Sequence, residues 1–308
     1  MQLSQNKKTK NFAITGIAGY IAPRHLRAIK DTGNNLVAAL DPHDSVGIID
    51  SYFPNASFFT EFERFDRHID KLRREGDGKE CRYLSICSPN FLHDSHIRFA
   101  LKSGMSAISE KPLVLNPWNV DALQELEEES GNRIYTVFQL RVHPAIVELK
   151  KNLDGLKRHS VELNYITSRG IWYDFSWKGD VSKSGGIASN IGIHFFDLLI
   201  HLFGEVESFS VEINEKRKMK GTLNLKNADV NWLLSIDGSD LPEEIKAEGK
   251  RTFRSIKIDG DELEFTGGFD DLHTKIYQDI LDGKGLGIDE ARPSIELAYR
   301  LRNEKVKE

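Results

Sequence analysis

The sequence predicts two α/β units in series. The first is a doubly wound, parallel-sheet unit over residues 1–140. The second, over residues 141–308, is an α+β unit built on a large, open, mostly antiparallel sheet. Three observations predict this. Up to Leu140, short continuous apolar runs alternate with helical patterns. Such runs suit strands buried on both faces, as in a parallel sheet covered by helices. Beyond Pro144 the runs lengthen and alternate in polarity, and the turn pairs Lys226-Asn227, Asp237-Gly238 and Asp259-Gly260 separate several of them. That pattern suits antiparallel strands with one polar or partner-covered face. A chain of 308 residues is also long enough for two cores.

The elements follow in order. Asn11 to Thr15 reads as a strand and Pro23 to Thr32 as a helix stopped by Gly33-Asn34-Asn35. Leu36 to Leu40 is a second strand, ending at Asp41-Pro42. An amphipathic helix from Phe65 to Glu75 closes at Gly76-Asp77-Gly78. Tyr83 to Cys87 is a strand, Phe91 to Ser103 a helix, and Ser106 to Ser109 a short strand. Asn119 to Ser130 is helical, and Ile134 to Leu140 closes the unit as a strand. In the second unit, Ala145 to Asn152 reads as a helix. Strands are expected at Val161–Thr167, Val206–Asn214, Thr222–Leu225, Val230–Ile236, Thr252–Ile258 and Glu262–Phe265. The stretch from Asn190 to Gly204 is apolar nearly all round, the mark of a buried helix. A large second sheet also offers a subunit interface.

Composition narrows the partners. Hydrophobic content is 39%, charged content 29% and net charge -5, with pI near 6.1. An acidic chain argues against a nucleic-acid partner. No run approaches 18 consecutive apolar residues, so no membrane span is expected. Met1 to Lys10 carries charge without a following signal-peptide core, which points to the cytoplasm. Cys81 and Cys87 beside an apolar strand read as buried free thiols, and no metal is expected.

Five segments carry chemistry. Gly16-Ile17-Ala18-Gly19-Tyr20-Ile21-Ala22 lies between the first strand and first helix, where glycines admit a pyrophosphate to the helix start. Gly16, Gly19, Tyr20 and Ile21 are therefore assigned to a cofactor, although G-x-x-G-x-x-A has a first spacing one residue longer than the usual motif. Asp41 ends the second strand 22 residues after Gly19, where an acidic side chain holds a ribose 2′-hydroxyl and disfavours a 2′-phosphate. The cofactor read this way is NAD, with a plain Asp-Pro turn as the alternative. Ser88, Asn90 and His93 follow the third long strand and are assigned to the cofactor along the same cleft, with Glu110 and Lys111 at the end of the next strand and Gln139 near the end of the last. Asn90 also suits a helix N-cap. His93 and His96 stand three apart without a third ligand and read as helix-face residues.

Glu110-Lys111-Pro112 ends a strand in the crevice. There a lysine can bind a substrate hydroxyl or move its proton, whereas a lysine without this context is a surface group. Asn190, His194, Asp197 and His201 fall on related faces of the buried helix. Three readings stay open for His194: a metal site with Asp197 and His201, a satisfied core histidine, or a general acid/base. The loop Arg169 to Asp180, continuing to Lys183, carries Trp172, Tyr173, Trp177 and the cations Arg169, Lys178 and Lys183. It suits a nucleotide-linked sugar or, alternatively, a tryptophan-anchored interface.

Together these segments resemble the family of glucose–fructose oxidoreductase, inositol dehydrogenase and rhizopine-catabolism proteins, over nearly the whole chain. Glu110, Lys111 and Pro112 match the family's E-K-P segment. Gly186, Asn190, Gly192, His194 and Asp197 fall on its G-x-x-x-D-x-G-x-H-x-x-D segment, with Asn190 where the family usually has Asp. The resemblance implies a Rossmann domain before an open sheet and a catalytic group of Lys111, His194 and the Asn190 position. Asn190 is no carboxylate base, so proton removal is expected of Lys111 or His194. Within the family, Gly19 to His25, Trp172 to Gly179 and Lys183 to Gly186 look most like UDP-N-acetyl-2-amino-2-deoxy-D-glucuronate 3-dehydrogenases of O-antigen biosynthesis. That implies oxidation of a sugar C3 hydroxyl by tightly held NAD, with Lys111, Asn190, His194 and the aromatic, cationic loop on the UDP-sugar. It also implies recycling by 2-oxoglutarate and a homotetramer. A free-sugar or inositol dehydrogenase and a non-catalytic NAD-binding regulator are the alternatives. A free polyol would need no diphosphate-binding cations, and the presence of both Lys111 and His194 weighs against the regulator.

Overall fold

A computed structural model describes residues 9–155, 157–263 and 268–306. Short β-rich apolar runs build the first sheet: β1 (Asn11–Thr15), β2 (Asn35–Leu40), β3 (Ser57–Phe59), β4 (Cys81–Ile86), β5 (Ser106–Ser109) and β6 (Ile134–Thr136). Their order is β3-β2-β1-β4-β5-β6, and every pairing is parallel. Parallel neighbours need crossovers, supplied by α1 (Ala22–Asp31), α2 (Phe62–Glu75), α3 (His93–Lys102) and α4 (Pro117–Ser130). The chain runs outward from β1 to β3, then returns to β4 on the other side of β1. That reversal opens a crevice at the carboxyl ends of β1 and β4, where ligands bind in such sheets.

After α5 (Pro144–Asn152) the second sheet begins with β7 (His159–Thr167). The short α6 (Trp172–Phe175) and α7 (Val181–Ser184) lead to α8 (Ile193–Phe203). The sheet resumes with β8 (Val206–Asn214), β9 (Lys218–Leu225) and β10 (Ala228–Ser235), then α9 (Glu243–Ala247), β11 (Thr252–Ile258) and β12 (Asp261–Glu262). The order is β12-β11-β7-β10-β9-β8. All pairings are antiparallel except β10 with β7, so the sheet is mixed. One face packs on α8, where Phe196 meets Trp232 edge-on at 5.5 Å. The opposite face of β7 and β10 presents Ser160, Glu162, Asp229 and Asn231 to solvent.

The helices α10 (Leu272–Leu281) and α11 (Ile288–Asn303) close the chain. The first packs on α1 and the second on α8, so the end of the chain joins both sheets. Sequence periodicity did not single out these two helices or β3. β6 stops at Thr136, short of the expected Leu140, and Gln139–Val142 forms a 3-10 turn. Val137 and Phe138 are buried there, and an apolar run does not distinguish a buried turn from a strand. The strand expected at Glu262–Phe265 ends at Glu262, its last two residues lying outside the described ones, as do Met1–Lys8. The helical stretch Val181–Phe203 is, contrary to the sequence expectation, long and apolar enough by composition to cross a membrane. It is mostly buried against the second sheet and α11, as the core helix of a folded domain.

Candidate active site

Gly16, Asp41, Ser88, Glu110, Lys111 and Gln139 all lie at or just beyond the carboxyl ends of first-sheet strands. The glycine turn is tight. Gly16 has φ +78°, and a Cβ on it would stand 2.4 Å from the Ser88 nitrogen, so only glycine lets β1 and β4 approach here. Gly19 is similarly confined, a Cβ meeting the Gly16 carbonyl at 2.9 Å. The turn delivers the chain into α1, whose N-terminus has no side-chain cap. A glycine turn that admits close backbone approach, at the positive end of a helix dipole, fits a pyrophosphate. Tyr20 is 90% exposed beside this turn, and Ile21 is the N-cap residue. The Asp41 carboxylate accepts from Ala18 N at 3.0 Å and from His43 N at 2.9 Å. It therefore shapes both the glycine turn and its own turn, as the Asp-Pro turn reading expects. Gln139 Oε1 accepts from Arg24 Nη1 at 3.4 Å, which brings it beside α1.

Asn90 does not cap α3. Its side chain donates to the Ser184 carbonyl at 2.9 Å and to Asn190 Oδ1 at 3.5 Å, bridging the two units. His93 is buried with Nδ1 and Nε2 at 2.7 and 2.8 Å from the Pro112 and Ser88 carbonyls. Both nitrogens are engaged within the protein, so His93 ties two crevice loops together instead of presenting a free edge to a cofactor. Glu110 is also turned inward. Its Oε1 lies 3.0 Å from His25 Nε2 and 3.1 Å from His273 Nε2.

Lys111 Nζ donates to the Asn190 carbonyl at 3.0 Å, joining the end of β5 to the approach of α8. A π turn at Ala188–Gly192 makes this approach. Gly192 is closely packed within it, a Cβ there meeting the Leu234 side chain at 2.6 Å and the Phe196 ring at 2.7 Å. Asn190 Nδ2 donates to the Tyr173 hydroxyl at 2.7 Å. Burial pulls the Lys111 pKa down, Glu110 opposes the shift and Lys178 adds to it. His194 is held well below its ordinary pKa, first by burial and next by the Lys111 charge, and its Nδ1 has no partner among the described residues. A neutral imidazole beside an enclosed lysine can accept a proton or orient a hydroxyl. The metal reading of α8 fails, because Asp197 is committed to a bidentate pair with Arg141 at 2.8 and 2.6 Å.

In the loop, Lys178 lies over the rings of Trp172 and Trp177, 5.5 and 5.0 Å from their centroids. Tyr173 is buried, while Trp172 is half exposed. Arg169 contributes its carbonyl to Arg217, and its charge, after burial, lowers the Lys178 pKa. Lys183 is more exposed, 3.7 Å from Asp180 and over Phe91. Sequence reasoning missed Arg254, which stacks on Tyr165 and adds to the charges lowering the His194 pKa. It also missed His25 and His273, which no spacing linked.

The oxidoreductase family's NAD-binding Rossmann fold matches residues 10–138, and its C-terminal alpha/beta domain matches residues 157–233. A Thermus thermophilus dehydrogenase of this fold, WlbA (WbpB), is 51% identical, with 97% of this chain and 96% of that one covered and a TM-score of 0.93. The chain belongs to the glucose–fructose oxidoreductase, inositol dehydrogenase and MocA family. It is an NAD-binding oxidoreductase by that membership. The Thermus protein was solved with NAD and alpha-ketoglutarate and, at a TM-score of 0.92, with NAD and UDP-GlcNAcA. The Bordetella pertussis WlbA dehydrogenase, 21% identical over 95% of this chain and 94% of its own at a TM-score of 0.76, shares the fold. Glucose-6-phosphate 3-dehydrogenase of Bacillus subtilis is 25% identical over 77% of this chain and 65% of its own length. Inositol 2-dehydrogenase of Rhizobium meliloti is 27% identical over 64% of this chain and 56% of its own, so the chain spans about two thirds or less of these curated relatives.

Proposed function

We propose that this family member is an NAD-dependent dehydrogenase that oxidises the C3 hydroxyl of a UDP-N-acetylglucosaminuronate to a 3-keto sugar. The observation that carries the reading is the Lys111–Asn190 contact, which sets an enclosed lysine at the strand end against the turn leading to His194. Gly16, Gly19, the α1 N-terminus and Asp41 would hold NAD, which when bound supplies the hydride acceptor. Lys111 or His194 takes the hydroxyl proton, and a charge on Lys111 stabilises the developing alkoxide. The cationic, aromatic loop around Lys178 holds the diphosphate and screens it from water. The 51% identical Thermus dehydrogenase, with NAD and UDP-GlcNAcA bound, supports this substrate class.

The Thermus dehydrogenase with NAD and alpha-ketoglutarate bound supports 2-oxoglutarate as the acceptor that regenerates NAD, and the family resemblance implies a role in building O-antigen sugars. A homotetramer is the assembly expected of this reading, and light scattering measures it directly. Lys111→Ala and His194→Ala should each lower turnover about 10²-fold, while NAD affinity changes far less. Near-normal turnover in both would remove them from the chemistry. A lack of UDP binding, with inositol or glucose turned over instead, would transfer the reading to the free-sugar dehydrogenases.

A further inference from the structure

Beneath Lys111 lies a buried cluster that the proposed chemistry does not use. Glu110 Oε1 receives two imidazoles, His25 Nε2 at 3.0 Å from α1 and His273 Nε2 at 3.1 Å from α10. Glu110 Oε2 lies 3.3 Å from the Lys111 backbone nitrogen. On its far side His25 Nδ1 is 2.7 Å from the Tyr277 hydroxyl, itself 2.6 Å from Ser85 Oγ. One arrangement of protons satisfies every contact. Burial pulls the His25 pKa down, and with a neutral ring donating Nε2–H to the carboxylate, His25 Nδ1 accepts from Tyr277 and Tyr277 accepts from Ser85. His273 Nδ1 is buried with no partner among the described residues, so a proton there would be an unpaired buried donor. In this arrangement the Glu110 carboxylate is the charged group of the cluster.

A buried carboxylate is stable only when hydrogen-bonded and charge-balanced. Among the groups around it, the Cys87 thiol and the Tyr277 phenol are pushed up by burial and stay neutral. Burial pulls His93 and His194 down as well, and both His93 nitrogens are held against backbone carbonyls. Arg24 acts on the His25 side, Arg254 on His194 and Lys178 on Lys111. The cation attached directly to the cluster is Lys111, the next residue in the chain.

We propose that Glu110, clamped between His25 and His273, is a positioning residue that sets the charge state of Lys111 from beneath the active site. The inference rests on the reading of Lys111 as a reacting group. Its physical logic is that burial drives Lys111 toward the neutral amine, and an adjacent fixed anion holds it nearer its ordinary range. The two histidines keep that anion ionised, since each N–H···O contact favours the carboxylate over the acid. They come from α1 and α10, so the far end of the chain completes the device.

Three ligand-type atoms lie within 4.8 Å of one another here, so a metal ion is the rival occupant. The test therefore starts with metal analysis of the purified protein, where a stoichiometric ion would overturn the hydrogen-bonded cluster. The pKa of Lys111 is then read directly, from the pH dependence of its acetylation followed by mass spectrometry. Glu110→Gln should move that pKa down by about one pH unit, and move the Lys111 limb of the kcat/KM profile with it. His273→Leu should give part of the same shift, and His273→Gln, which keeps an N–H donor, should restore the wild-type value. Glu110→Gln and His273→Leu proteins that melt lower yet keep the wild-type Lys111 pKa would reduce the cluster to a structural clamp and overturn the proposal. Lys111→Ala separates the two ideas. If it retains turnover, the catalytic assignment fails while the labelling result still stands or falls by itself.

Discussion

Acidification should destabilise the protein through His96, and the size of the effect follows from its surroundings. His96 on α3 is 8% exposed, its ring stacked 5.7 Å from Phe62, with Ser88 Oγ 2.9 Å from Nδ1. Burial, helped by the charge of His93, pulls its pKa from 6.5 down to about 4. Above pH 6.5 the ring is neutral in both the folded and unfolded chains, and its contribution to stability is complete. Between 6.5 and about 4 the unfolded chain takes up a proton that the folded chain refuses, so stability falls as pH falls. Each pH unit in that window is worth about 1.4 kcal/mol, which makes the full loss about 3 kcal/mol by pH 4. Urea unfolding of the wild type and His96→Gln, from about pH 7.5 to about 4.5, should show the wild type losing about 2.5 kcal/mol more than the variant. The variant supplies its own baseline, because the readout is the difference in pH slope. Parallel profiles would refute the argument, and would mean that the Ser88 contact survives protonation.

Three further outcomes follow from the site. Gly16→Ala should abolish NAD binding and lower the melting temperature, because a Cβ at 2.4 Å from backbone and a φ of +78° are both prohibitive. NAD titration together with melting checks it. Asp41→Ala should narrow the preference for NAD over NADP and also weaken both cofactors, since the same carboxylate holds Ala18 and His43. Equal wild-type affinity for the two cofactors would sink the first half. Lys178→Ala should weaken UDP binding by about 1.5–3 kcal/mol in calorimetry. Lys183→Ala should cost less, because that lysine is exposed and paired with Asp180. The reverse order would relocate the diphosphate.

The first sheet was legible because its strands are buried on both faces and so write continuous apolar runs. β5 matches its expected limits to the residue, and β8 and β11 do so in the second sheet. β3 was not legible, being three half-buried edge residues with no pattern to repeat. The parallel pairing of β10 with β7 leaves no local trace, since register between distant strands is set by the sheet and not by either run. In the site, Gly16 and Lys111 announced themselves by position between or after strands. His25 and His273 did not, because Glu110 brings them together across 248 residues of chain and each is a lone histidine in its own helix. The cap that Asn90 also suited is not made, for a related reason: its partners lie about a hundred residues away.

The asparagine at position 190 becomes intelligible once the charges around it are counted. The family motif usually places an aspartate there. In this chain Asn190 gives its carbonyl to Lys111 and its amide to the Tyr173 hydroxyl, whose proton burial makes harder to remove. An aspartate would lose the N–H that Tyr173 accepts from, and would add a second buried anion beside Lys111. With Glu110 already ionised beneath it, the lysine would then be held fully charged, a state that stabilises an alkoxide but cannot accept a proton. On the proposed chemistry the substrate also brings two phosphate charges and a carboxylate, and a further anion in the crevice would repel it. A neutral amide keeps the hydrogen bonds and leaves the charge balance of Lys111 to Glu110 from below and Lys178 from the loop side. Asn190→Asp should therefore raise the Lys111 pKa, in the direction opposite to Glu110→Gln. Acetylation that responds to both substitutions in the same direction would show that electrostatics does not govern this lysine.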